Sequence, residues 1–60
     1  MKEEDLIDAD KWMCLHNYAT YIDKENKTLF IDLCDFEFEL SSEEILYRAR
    51  CYRDYIRNKY

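Results

Sequence analysis

The chain contains no glycine and no proline. Glycine is the residue that enters left-handed backbone at no steric cost, and proline pre-sets the first position of many turns. Every reversal must therefore be made by Asn, Asp, Lys and Ser, which tolerate left-handed geometry less well than glycine. The same absence removes glycine-rich phosphate cradles and dinucleotide fingerprints, whose backbone must approach a ligand closely.

Sixty residues make one small domain, residues 1–60. A domain of this size buries only roughly 60% of its unfolded surface, which leaves little material for the walls of a cleft. One Trp, three Phe and six Tyr still supply large buried areas, and that content argues for a folded unit rather than a disordered one. No apolar run approaches the roughly 20 residues needed to span a bilayer. The opening MKEEDLIDAD is acidic where a signal peptide is basic. With an odd number of cysteines as well, a reducing cytoplasm is the expected location.

Charge is unevenly placed. Residues 28–47 hold six acids and no base, whereas residues 48–60 hold Arg48, Arg50, Arg53, Arg57 and Lys59 against Asp54 alone. Ser41 with Glu44 three residues later is a capping-box pattern, and Glu43 and Glu44 suit the positive end of a helix dipole. A helix over about 42–58 follows, its buried stripe formed by Ile45, Ala49, Tyr52, Ile56 and Tyr60.

Upstream, aromatic and β-branched residues at 18–22 and 29–33 flank the polar stretch DKENK, the pattern of a hairpin. Its first strand is expected to begin as early as Trp12, so that the hairpin covers about 12–33. Residues 4–11 suit a short helix. With the turn centred on Glu25, one sheet face carries Met13, Leu15, Ala19, Tyr21, Leu29, Ile31 and Leu33. The other carries Trp12, Tyr18, Ile22, Phe30 and Phe36. After Leu33 the apolar phase slips from odd to even positions, so a bulge or break is expected near Cys34 and Asp35. Residues 36–40 then form a third strand segment or a short bridge to the helix. The fold class is α+β, a small antiparallel sheet packed by one C-terminal helix. One helix covers one face, and the apolar second face points to a C2 homodimer, the alternative being that the N-terminal segment folds over it.

The side chains carry the ingredients of three kinds of chemistry. Cys14, His16, Cys34 and Cys51 have the composition of a Cys3His zinc site, and Cys34 sits opposite His16 in that register. Cys51, however, lies about 140° from the helix stripe, and no C-x2-C pair is present. No metal or cofactor is expected. Catalysis has a single histidine and no oxyanion donor set to draw on, so the chain is expected not to be an enzyme. Tyr47, Arg48, Arg50, Arg53 and Tyr55 interleave as in RNA-binding surfaces, but a pI of 4.7 opposes binding to phosphates.

The remaining lead is LCDFEFELSSEEI, residues 33–45. On a strand, Asp35, Glu37 and Glu39 project from one face about 6.6 Å apart, with Phe36 and Phe38 between them. Such a row can occupy a groove built for DNA phosphates, and its charge can steer association. An acidic strand edge that only preserves solubility explains the same pattern.

The segment Cys34-Asp35-Phe36-Glu37-Phe38-Glu39-Leu40 resembles the S-D-F-E-x-L-Y stretch of small uracil-DNA glycosylase inhibitors from Bacillus phages with protein-primed replication. Glu43-Glu44-Ile45 matches the acid-acid-Ile pattern that follows it, and the likeness covers roughly residues 18–50. The family's Tyr is Leu40 here, the link to the helix is shorter and lacks Gly, and the arginine-rich helix is longer. The resemblance implies a homodimeric DNA mimic that fills the enzyme's DNA-binding cleft and captures its leucine loop. Phe36 then makes apolar contact and Glu37 acts electrostatically. The partner-binding set expected is Asp35, Phe36, Glu37, Phe38, Glu39, Glu43 and Glu44, and the partner a DNA-handling protein of host or phage.

Overall fold

A computed structural model describes residues 2–59. The fold is α+β: helix α1 (Glu3–Leu15), strands β1 (Thr20–Asp23), β2 (Thr28–Asp32) and β3 (Glu37–Glu39), then helix α2 (Ser42–Lys59). The strands form one antiparallel sheet in the order β1-β2-β3. No helix among the described residues is long and apolar enough to cross a membrane.

The N-terminal segment departs most from expectation. Residues 12–15 are helical, so Trp12 does not open a strand. Glu3, Glu4 and Asp5 occupy the first turn of α1, where the helix dipole favours acids. The helix stops at Asn17, whose φ of 67° is left-handed. The Tyr18 N–H then returns to the Met13 carbonyl (3.1 Å) and the Asn17 N–H to that of Cys14 (3.0 Å). This is a Schellman closure with asparagine in the place glycine usually takes.

The two hairpin reversals also use left-handed residues other than glycine, Lys27 as expected and Cys34 outside the expected Asn, Asp, Lys and Ser. In the loop between β1 and β2, Asp23 Oδ1 accepts the backbone N–H groups of Glu25 (3.1 Å) and Asn26 (3.2 Å). Lys27 then turns left-handed at φ 55°. Four residues separate Asp23 from Thr28, so the register pairs Thr20 with Ile31, Tyr21 with Phe30 and Ile22 with Leu29. This lies one residue away from the register centred on Glu25. The face assignment is corrected accordingly: Ile22 joins Leu29 and Ile31, and Tyr21 joins Phe30 on the opposite side.

The phase slip after Leu33 is a second hairpin. Leu33 N–H bonds to the Phe36 carbonyl (2.9 Å) around Cys34 and Asp35, with Cys34 at φ 60°. Asp35 N–H bonds to the Leu33 carbonyl (2.5 Å), which closes a three-residue γ-turn at the left-handed Cys34. The pairing Ile31–Phe38 follows, so odd positions of β2 and even positions of β3 share a face. A one-residue slip in sequence thus keeps the apolar side on one face instead of flipping it. Phe36 therefore sits with Leu33, not with Phe30.

Both helices pack on that one face, and α1 does not cover the other. Leu6, Ala9 and Met13 of α1, Leu29 and Ile31 of β2, Leu40, and Ile45 and Ala49 of α2 form a single core. Leu6, Leu29 and Ile45 are the largest fully buried side chains, each worth about 1.5–3 kcal/mol by transfer from water. Ala9 and Ala49 are fully buried, and their small size lets the helices approach closely. Tyr52 and Ile56 extend the α2 stripe at half burial, while Tyr60 lies outside the described residues. The opposite sheet face holds Tyr21 and Phe30 among acids, so the apolar second face expected there is not formed.

Arginines tie the helices together. Arg53 donates to Asp5 (2.6 Å) and Asp8 (2.8 Å) of α1, which raises its pKa above the ordinary value. Arg48 lies along Met13 and bonds to Glu44 (2.5 Å) within its own helix.

Candidate functional site

The described residues enclose no pocket, and the acidic segment presents a surface. Its scaffold is the β2–β3 hairpin, where alternation sorts the two residue types to opposite faces. Phe36 and Phe38 lie on the helix-bearing face at 60% and 50% exposure, beside Leu33 at 39%. All of β3 is exposed, in contrast to Leu40 immediately after it, which is buried. The apolar stripe thus runs out from beneath the helices and continues bare to the hairpin tip.

Glu37 and Glu39 occupy the other face. The register sets Glu37 against Asp32 and Glu39 against Phe30. Neighbouring strands lie about 4.8 Å apart and alternate residues about 6.6 Å apart, so Asp32 and Glu37 are cross-strand neighbours and Glu39 follows on the same face. Tyr21 reaches Glu37 from β1. Its ring stacks on Phe30 with centroids 5.1 Å apart, and its hydroxyl donates to Glu37 Oε2. That hydrogen bond to a carboxylate favours the neutral phenol, pushing the Tyr21 pKa up to about 12.

The structure divides the residues read from sequence. Phe36 and Phe38 come together, as do Glu37 and Glu39. Asp35 sits in the two-residue turn and does not extend the row on the strand. Glu43 and Glu44 lie on the first turn of α2, outside the sheet. The Glu44 backbone N–H is capped by Ser41 Oγ (3.3 Å), but its carboxylate turns to Arg48 and not back toward Ser41, so only half of the capping box forms. Tyr21, Asp32 and Leu33 belong to the surface and were missed. The phase slip carried the signal for Asp32 and Leu33, because a two-residue turn places them opposite Glu37 and Phe36.

The placement of Cys34 opposite His16 fails with the register. Cys14 lies on α1 and His16 ends it, its ring packed edge-on against Trp12 at 4.6 Å. Neither is on a strand, so Cys34 does not sit opposite His16. Cys14, Cys34 and Cys51 are all free thiols. Among the described residues, no three His, Cys, Asp or Glu side chains are grouped to hold a metal ion.

No protein-family model, curated protein or solved structure matches the chain.

Proposed function

We propose that the chain is a non-catalytic acidic inhibitor that occupies the nucleic-acid-binding surface of a DNA-handling protein. The observation that carries this reading is the division of the β2–β3 hairpin, with Asp32, Glu37 and Glu39 on one face and bare Leu33, Phe36 and Phe38 on the other. Carboxylates on a rigid pleat supply the charge of a phosphate array, and desolvated aromatics supply most of the binding energy. The resemblance at Asp35-Phe36-Glu37 makes uracil-DNA glycosylase the target to try first and a phage the origin to expect. The resemblance alone adds a homodimer acting in the cytoplasm of a host cell, since the apolar second sheet face that pointed to one is not formed.

The alternative of an RNA-binding helix is less favoured, because Arg48 and Arg53 already bond to carboxylates of this chain. A structural or regulatory homodimer would use the bare aromatics and leave the carboxylates without a partner.

The test is glycosylase activity with increasing amounts of the purified protein, with its mass in solution measured alongside. Stoichiometric inhibition is expected, with an association rate that falls steeply as salt rises. Phe36→Ala combined with Glu37→Ala should weaken inhibition at least about tenfold, the loss of a single good contact being about 1.4 kcal/mol. Full activity at a large excess of the protein removes this target.

A further inference from the structure

The backbone of β3 adds a feature that side-chain patterning does not reveal. Leu33 donates to Phe36, and Leu40 N–H donates to the Leu29 carbonyl (2.9 Å). In an antiparallel ladder, hydrogen-bonded pairs alternate with non-bonded ones. Leu33–Phe36, Ile31–Phe38 and Leu29–Leu40 are therefore the bonded pairs. The pairs Asp32–Glu37 and Phe30–Glu39 are the non-bonded ones. The N–H and C=O groups of Glu37 and Glu39 consequently point away from β2, along the outer edge of the sheet. β3 is the last strand in the order, and it is exposed throughout its length.

An edge of this kind can accept another strand, and its side chains state what that strand must carry. A residue opposite Glu37 or Glu39 shares their acidic face. A residue opposite Phe38 shares the face of the bare aromatics. A second copy of the chain is unsuited to this edge, because antiparallel pairing centred on Phe38 sets Glu37 directly against Glu39 twice. Like charges in directly opposed positions destabilise a sheet.

We infer that the β3 edge receives an extended segment of a partner protein in which Lys or Arg alternates with apolar residues. The bases pair with Glu37 and Glu39, the apolar side chains cover Phe36 and Phe38, and the backbone of the segment bonds to that of Glu37 and Glu39. This deepens the proposed function, on which it rests, by naming the chemistry of the partner's contact segment.

The probe is a short synthetic peptide of alternating lysine and valine, titrated into the full chain. Its controls are alternating glutamate and valine, and the same lysines and valines rearranged in helical order. Binding by the first peptide alone, with slowed amide exchange at Glu37 and Glu39, is expected. Two variants separate charge from backbone. Glu39→Gln removes the charge, whereas Glu39→Pro also removes the outward N–H, which an edge strand tolerates. The proline variant should bind about tenfold more weakly than the glutamine one, as for loss of one hydrogen bond. If Glu39→Pro fails to fold, the lysine–valine peptide methylated on every second backbone nitrogen makes the same comparison with the unaltered protein.

Equal binding by the alternating and rearranged peptides, or unchanged exchange at Glu37 and Glu39, overturns the edge inference. The glycosylase assay is independent of it. Inhibition without edge binding leaves the proposed function standing and rejects only the inference. Edge binding without inhibition retains the edge and removes that target.

Discussion

One apolar stripe on one sheet face has two different fates. At its covered end, Leu29, Ile31 and Leu40 meet both helices and are buried. At its other end, Leu33, Phe36 and Phe38 follow the same register and remain open to solvent. Nothing in residue type separates the ends, since the bare one holds the larger side chains. The difference is reach: α1 packs along β1 and β2, and α2 begins only after β3 has ended. Apolarity alone therefore does not mark a core residue, and the uncovered end is where recognition can be built at little cost to folding.

The acids divide in the same manner. Asp5 and Asp8 are partly buried and bridged to Arg53, so their charge is used within the fold. Asp32, Glu37 and Glu39 face outward from the sheet, and Glu37 is held in place by the Tyr21 hydroxyl.

The largest expected effect breaks the comparison at its covered end. Leu29→Ala should cost about 2–5 kcal/mol in urea denaturation, a large part of the stability of a domain this small. Phe36→Ala should change stability by no more than about 0.5 kcal/mol, as at other exposed positions. Equal losses at both ends would mean that the bare aromatics are covered in solution.

A smaller effect belongs to the turn that joins them. Cys34 holds left-handed backbone at a steric cost of roughly 1–2 kcal/mol, and glycine removes that cost while adding roughly 0.5–1 kcal/mol of unfolded-chain entropy. Cys34→Gly should thus raise stability by up to about 1.5 kcal/mol. Asn17→Gly should have nearly no effect, because asparagine already tolerates this geometry. Chemical denaturation of the two variants side by side checks the contrast.

The smallest effect sharpens the acidic side. Ultraviolet titration should show the Tyr21 phenol ionising near pH 12 instead of 10. Glu37→Ala should lower it toward the ordinary value. The folded phenol holds its proton more tightly than the unfolded one, so its contribution is complete below pH 10. That contribution is lost as pH rises through 12. A titration unchanged by Glu37→Ala would place the hydroxyl elsewhere than on this carboxylate.

Local chemistry was the legible part of the chain. Ser41 and the acids after it announce α2, the polar run DKENK announces a reversal, and alternation from Phe36 to Leu40 announces a strand. Each is settled by neighbours within a few residues. The break at Cys34 and Asp35 was equally visible, although its meaning was not, because slip and two-residue turn leave the same trace. The division of the candidate surface into an aromatic face and an acidic face was readable from the period of two. The contribution of Asp32, Leu33 and Tyr21 required the pairing of strands.

By itself the sequence determined an α+β class, the C-terminal helix, and a hairpin-bearing segment whose acids and aromatics alternate. Only the tertiary structure decided that Trp12 to Leu15 continue a helix, that Ile22 and not Tyr21 faces the core, and that both helices share one face. WMCL suits helix or strand equally, and it becomes helix because Met13 packs in the core and against Arg48, and Arg53 anchors Asp5 and Asp8. Register is likewise a property of two strands and the loop between them, and one residue of loop length exchanges their faces. Such choices are made by contacts between segments far apart in the chain, and no window of local sequence contains them.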